Sequence, residues 1–109
     1  MVKTEELVYK GDLVSLELAK YAHNNQKAMA FNDEDGIPYF VATLCVDDKL
    51  EDDEVAIKDY AENTGVLDWM IANNFVYPPH NQIFSGYVVI PICRLTQGAI
   101  ELFQEQYSN

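Results

Sequence analysis

One turn constrains this chain more than any other feature. Asp33-Glu34-Asp35-Gly36 stands between two arms, residues 27–32 and 39–46, and Pro38 follows it. Asp-Gly supplies the positive φ angles that a tight β-turn needs. A hairpin here commits the chain to antiparallel pairing, and other elements must then cover the sheet it starts. The second arm, Tyr39-Phe40-Val41-Ala42-Thr43-Leu44-Cys45-Val46, is apolar at both odd and even positions. That pattern predicts a central strand covered on both faces.

The remaining segments fit the same plan. Residues 7–21 read as an extended stretch with a turn at Gly11-Asp12, because Leu16, Leu18 and Lys20 alternate with Glu17, Ala19 and Tyr21. The helical spacing of Leu13, Glu17, Lys20 and Tyr21 is the competing reading. Val55-Ala56-Ile57-Lys58 is a short strand after a polar loop. Asn63 or Thr64 can cap a helix over 65–74, with Val66, Leu67, Met70 and Ile71 as its apolar stripe. Tyr77-Pro78-Pro79-His80 cannot continue it. Residues 83–95 read as one long strand, with Pro91 marking an edge or a bulge. Thr96 caps a last helix over 97–107. The fold class is therefore α+β: a single domain over 1–109, with an antiparallel sheet of four or five strands and two helices packed on one side.

Charge narrows the function. The chain holds 18 Asp and Glu against 7 Lys and Arg, a net charge of −11. Direct nucleic-acid binding and polybasic membrane binding need the opposite balance. No apolar run approaches the roughly 18 residues of a membrane span. Met1-Val2-Lys3-Thr4-Glu5-Glu6 lacks the features of a signal peptide, so a cytoplasmic setting is expected. Cys45 and Cys93 each lie in an apolar run and read as reduced, buried thiols. His23 and His80 are isolated, glycines are scattered singly, and no nucleophile elbow occurs. No metal, cofactor or catalytic residue is expected, and a binding role is favoured over an enzymatic one.

Half of the acids fall in two turns: Asp33, Glu34 and Asp35, then Asp47, Asp48, Glu51, Asp52, Asp53 and Glu54. These are the candidate contacts to a protein partner with a basic surface. A strand of about nine residues separates them by about 25–30 Å. That exceeds a Debye length of about 8 Å, and it matches poorly the charge every ~1.7 Å along duplex DNA. A second candidate is the polar junction of Lys58, Asp59, Tyr60, Glu62 and Asn63, with Arg94, which could line the site of a small-molecule binder or weak enzyme. Asp59 and Glu62 could equally serve the start of the helix there. A third reading is a homo-oligomeric accessory module, using an apolar patch drawn from Phe75, Tyr77, Phe103 or Tyr107.

Four motifs in order carry a family resemblance: Asp33-Glu34-Asp35-Gly36-Ile37-Pro38-Tyr39, Ala42-Thr43-Leu44, Ile57-Lys58-Asp59-Tyr60-Ala61-Glu62-Asn63, and Ser85-Gly86-Tyr87-Val88 leading to Pro91-Ile92-Cys93-Arg94-Leu95. Over residues 16–95 the chain resembles a family of small uncharacterised proteins carried by bacterial phages, plasmids and conjugative elements. The resemblance implies a small single domain and a mobile-element setting, and no activity. Its most recognisable positions are Gly36 and Pro38, then Lys58, Asp59, Glu62 and Asn63, then Gly86, Pro91 and Arg94. The helix after Leu95 departs from the shorter pattern. Together these features suggest an acidic interaction protein that binds a host protein. Its sharpest form is an inhibitor of a nucleic-acid-directed defence system.

Overall fold

The structure, a computed structural model, describes Val2 and residues 4–107. Its strands form two antiparallel sheets of four strands each, with two α-helices, in the expected α+β class. The strands divide between two sheets instead of gathering in one of four or five.

The first sheet is a meander of β1 (Leu7–Tyr9), β2 (Asp12–Lys20), β3 (Lys27–Asn32) and β4 (Pro38–Val41). Residues 7–21 are extended, as their alternation predicts, with a turn at Lys10 and Gly11. Leu16 faces Phe31 and Leu18 faces Met29 across the β2–β3 ladder, which turns all four toward the core. The Asp33–Gly36 turn closes β3 onto β4. Gly36 sits at φ 78°, and the Asp33 carboxylate accepts from the N–H groups of Asp35 and Ile37 at 2.9 and 3.0 Å.

The arm over 39–46 is not one central strand. It splits at Ala42 into β4 and β5 (Thr43–Leu44), each an edge strand of a different sheet, and Tyr39 and Val41 are exposed. Its two apolar faces serve two sheets in succession, so the pattern of a doubly covered strand arises without one. Ala42, fully buried, donates its N–H to the Met29 carbonyl at 2.9 Å and accepts from the Lys58 N–H at 2.9 Å. One residue thus joins the ladders of both sheets. Beside it the buried Thr43 hydroxyl accepts the Met29 N–H at 3.1 Å.

The second sheet has the order β5, β6 (Glu54–Ile57), β8 (Val88–Arg94), β7 (Asn81–Ser85). Residues 83–95 are therefore not a single strand. Gly86, at φ 59°, opens a two-residue turn that folds β7 back on β8. Pro91 lies in an interior strand, not at an edge: the β6 ladder stops at the Ala56–Ile92 pair, immediately before it. Along β6, Val55 and Ile57 enter the main core, while Ala56 faces a smaller cluster with Val46, Ile90 and Ile92.

Both helices feed the main core. α1 (Val66–Ala72) contributes Val66 and Met70, and α2 (Gln97–Tyr107) contributes Ala99 and Phe103. The Trp69 indole N–H donates to the Val8 carbonyl at 2.7 Å, which pins α1 to β1. Around it Tyr9, Phe31, Phe40 and Phe75 pack in tilted and edge-to-face pairs. Thr96 caps α2 through the Ala99 N–H, as expected. Phe75 and Phe103 belong to this core, so of the four residues considered for an exposed patch only Tyr77 and Tyr107 are at the surface. Cys93 is buried as expected. Cys45 is exposed, because it lies past the sheet corner in the loop after β5.

Thr43→Val keeps the shape at the corner but leaves the buried Met29 N–H without an acceptor. We expect a loss of about 1–3 kcal/mol in urea unfolding, with Thr43→Ser retaining most of the stability. Equal losses for the two variants would show that the hydroxyl is not what holds the corner.

Candidate functional site

The first acidic turn does not stand alone. Asp33, Glu34 and Asp35 at the β3–β4 turn meet Asp12 from the start of β2 around a hollow of about 520 Å³ that includes Leu13, Pro38 and Tyr39. A smaller hollow of about 240 Å³ continues from it past Leu13 to Glu6. Leu13, 44% exposed, sits between the two, with carboxylates on both sides. The Tyr39 hydroxyl donates to Asp12 at 2.9 Å, and that bond to a carboxylate holds the phenol above its ordinary value. Among the described residues no cationic side chain pairs with Glu6, Asp12, Asp33, Glu34 or Asp35. Sequence reasoning singled out the turn as a candidate contact and left Glu6 and Asp12 out of it, because their place depends on where the first strand lies. Only the β1–β2–β3 pairing brings them to the same end of the sheet.

The second acidic stretch behaves differently. Arg94, at the end of β8, donates to Asp53 at 2.7 Å and reaches Glu51 at 3.4 Å. His80 lies 2.6 Å from Glu54, whose other carboxylate oxygen accepts the Glu51 N–H at 2.8 Å. Glu51, Asp53 and Glu54 thus clamp their own loop against the base of the second sheet. The bond from the Glu51 backbone, then His80, holds the Glu54 carboxyl below its ordinary value against the opposing effect of burial. Asp47 and Asp48 stay exposed, with His23 at 3.8 Å from Asp47. Asn24 and Gln26, in the β2–β3 loop, hydrogen-bond the carbonyls of Val46 and Asp48. The two acidic stretches therefore lie at opposite ends of the first sheet, as the strand between them implies. The six residues of β3 set them apart by about 20 Å.

At the junction Lys58, Asp59, Glu62 and Asn63 each find a partner within the fold. The Asp59 carboxylate accepts from the N–H groups of Gly65 and Leu67, both at 3.0 Å. It therefore caps α1 from outside, the helix-start role open to it in the sequence, in place of Asn63 or Thr64. Asn63 is buried and donates to the Val41 carbonyl at 2.7 Å, tying the junction to β4. Lys58 pairs with Glu62 and lies over the Tyr60 ring. Arg94 does not join this group: it pairs with Glu54 in the ladder, at the far end of β6. Cys93 lies close enough to Asp59 to feel its charge, but burial is the main cause that pushes its thiol up to about 12. Such a thiol stays protonated and unreactive. Among the described residues no three His, Cys, Asp or Glu side chains gather to hold a metal, and no helix is long and apolar enough to cross a membrane.

Two measurements check these assignments. Asp59→Ala removes two N–H partners at the start of α1 and should lower stability by about 1 kcal/mol in urea unfolding. An unchanged midpoint would remove the capping role. The clamp makes a claim about acid. A depressed folded-state pKa gives stability that is present above the unfolded value, 4.5, and lost as pH falls through the folded one. Hydrogen exchange at the Glu51 amide should accelerate, relative to the global opening rate, as pH drops below about 4.5. Glu54→Gln should abolish that acid step; its survival in the variant would exclude Glu54 as the titrating group.

Comparison with protein-family models, with curated proteins and with solved structures finds no match to this chain.

Proposed function

We propose that this chain is a non-enzymatic interaction protein that binds a protein partner with a basic surface, and that the pole formed by Glu6, Asp12, Asp33, Glu34 and Asp35 is its contact. One observation carries this reading: the pole's carboxylates have no cation partner among the described residues, whereas four of the chain's seven Lys and Arg side chains are engaged elsewhere. Lys58 pairs with Glu62, Arg94 with Asp53 and Glu51, Lys27 with the Asp52 carbonyl, and Lys20 lies over Tyr107. Uncompensated like charge steers an oppositely charged partner and speeds encounter. Leu13 and Tyr39 add exposed apolar surface inside the charged ring, the arrangement of an interface core within a polar rim.

The same reasoning moves the contact from the longer acidic stretch to the shorter one. Glu51, Asp53 and Glu54 have internal partners; Asp47, Asp48 and Asp52 are left as a secondary patch. A basic surface is the footprint of proteins that handle nucleic acid, and the motif order over 16–95 supports a mobile-element setting. In its sharpest form the partner is therefore a host protein of a nucleic-acid-directed defence system, blocked at its own nucleic-acid surface. Two unpaired thiols suit a reducing, cytoplasmic location.

Affinity capture from bacterial lysate tests this with three baits. The wild type and an Asp47→Asn, Asp48→Asn, Asp52→Asn variant should retain the same basic protein. A Glu6→Gln, Glu34→Gln, Asp35→Asn variant should retain it about tenfold less, and duplex DNA or about 0.5 M salt should release it. Equal retention by the pole variant, or capture of partners that are not basic, would overturn the assignment.

A further inference from the structure

Two of the chain's seven cations stand face to face. Lys20, the last residue of β2, pairs directly with Lys27, the first of β3, across the antiparallel ladder. Like charges opposite one another on a sheet repel. The chain has 18 Asp and Glu residues, yet among the described residues neither ammonium group pairs with a carboxylate. Both lie over rings of α2 instead. Lys20 Nζ is 4.4 Å from the centre of the Tyr107 ring, and Lys27 Nζ is 5.7 Å from that of Phe103. Lys27 also donates to the Asp52 carbonyl.

These groups surround a cavity of about 340 Å³, within the range of about 300–1,000 Å³ typical of small-molecule sites. Ile100, Phe103 and Tyr107 give it an apolar wall from successive turns of α2. Phe103 is buried, and its ring and that of Tyr107 lie within 12° of parallel. Lys20, Lys27, Asp52 and Asp53 bring the charges. The Asp53 carboxylate is already held by Arg94 at 2.7 Å. The Asp52 side chain is exposed and pairs with no cation among the described residues. Two ammonium groups are thus set against one unpaired carboxylate, a positive balance on an acidic chain.

We propose that this cavity binds a small organic monoanion, a carboxylate carried on an aromatic or aliphatic body. Charge and shape select the class together. The anion sits between two ammonium groups that have N–H donors to spare, and it relieves a repulsion that the ladder imposes. The apolar body lies against Ile100, Phe103 and Tyr107. A cation meets two like charges there, a neutral molecule leaves the two lysines repelling each other, and the Asp52 carboxylate opposes a second negative charge. The cavity adjoins the end of the β2–β3 ladder opposite the acidic pole, so this site is separate from the partner contact.

Nuclear magnetic resonance titration of the full chain with phenylacetate tests the site. At about 0.15 M salt, the backbone amides of Lys20, Lys27, Ile100, Phe103 and Tyr107 should shift saturably, with a Kd of about 1 mM or below. Three relatives of the probe separate its parts: 2-phenylethanol keeps the ring without the charge, phenethylamine reverses the charge, and acetate has the charge without the ring. Each should bind at least about fivefold more weakly. Lys20→Met and Lys27→Met keep the apolar stems and remove the charges. Each should weaken phenylacetate severalfold, and the two together about tenfold, with the affinity for 2-phenylethanol unchanged. Asp52→Asn should tighten phenylacetate severalfold. Lys20 is exposed, so Lys20→Met alone carries the test if the double variant does not fold. No saturable shift with phenylacetate by about 20 mM overturns the proposal. So do equal binding of phenethylamine or acetate, wild-type affinity in a folded lysine variant, weaker binding in Asp52→Asn, and shifts confined to residues away from the cavity.

Discussion

The two sheets depend on the backbone groups at one corner. Ala42 gives its N–H to the first sheet and its carbonyl to the second, and the next residue lends a hydroxyl to a ladder that its own backbone has already left. A strand changing sheets would ordinarily strand a buried N–H, here that of Met29. The Thr43 hydroxyl takes the place of the missing carbonyl, so the corner stays dry and satisfied. Tyr21, whose hydroxyl also bonds Thr43, ties the far end of the β2–β3 hairpin to the same point. The acidic pole and the β7–β8 hairpin belong to different sheets, and this junction fixes one relative to the other.

Around that frame the charge is sorted. Among the described residues, Lys58, Arg94, Lys20 and Lys27 are drawn into pairs with nearby carboxylates, onto an aromatic ring or onto a backbone carbonyl. The acids at the β3–β4 turn are left without them. The second acidic stretch looks richer in sequence, yet Arg94 and His80 draw three of its carboxylates inward as a clamp between the base of β8 and the loop before β6. Density of acidic residues is therefore a poor guide to available charge in this protein. What decides availability is whether a cation lies within reach after folding.

Local chemistry was legible in the sequence, and long-range placement was not. Asp-Gly fixed the β3–β4 turn, alternation fixed β2, and Thr96 fixed the start of α2. Each signal acts within a few residues, where backbone geometry answers directly to residue type. The split at Ala42 left no trace, because a strand passing between two sheets shows apolar residues at every position just as a covered central strand does. The reversal at Gly86-Tyr87 lies hidden within residues 83–95, which read as one strand. The surrounding run of apolar residues gives no polar interval between the two strands. For the acidic site, the turn residues were visible, but Glu6 and Asp12 join them only through pairing between strands. Asp59 serves the start of α1, as the sequence allowed, but it does so across six positions, to the Gly65 N–H.

The division between engaged and unengaged acids bears on how such a protein changes over generations. Glu34 and Asp35 offer no side-chain bond to the rest of the fold, while Asp33 shapes the turn and Glu54 anchors a loop. Exposed side chains without partners can be exchanged with little change in stability, usually within about 0.5 kcal/mol. The proposed contact surface can therefore be rewritten residue by residue while the corner, the caps and the clamp stay intact. A lineage can alter that face at little risk to its folding.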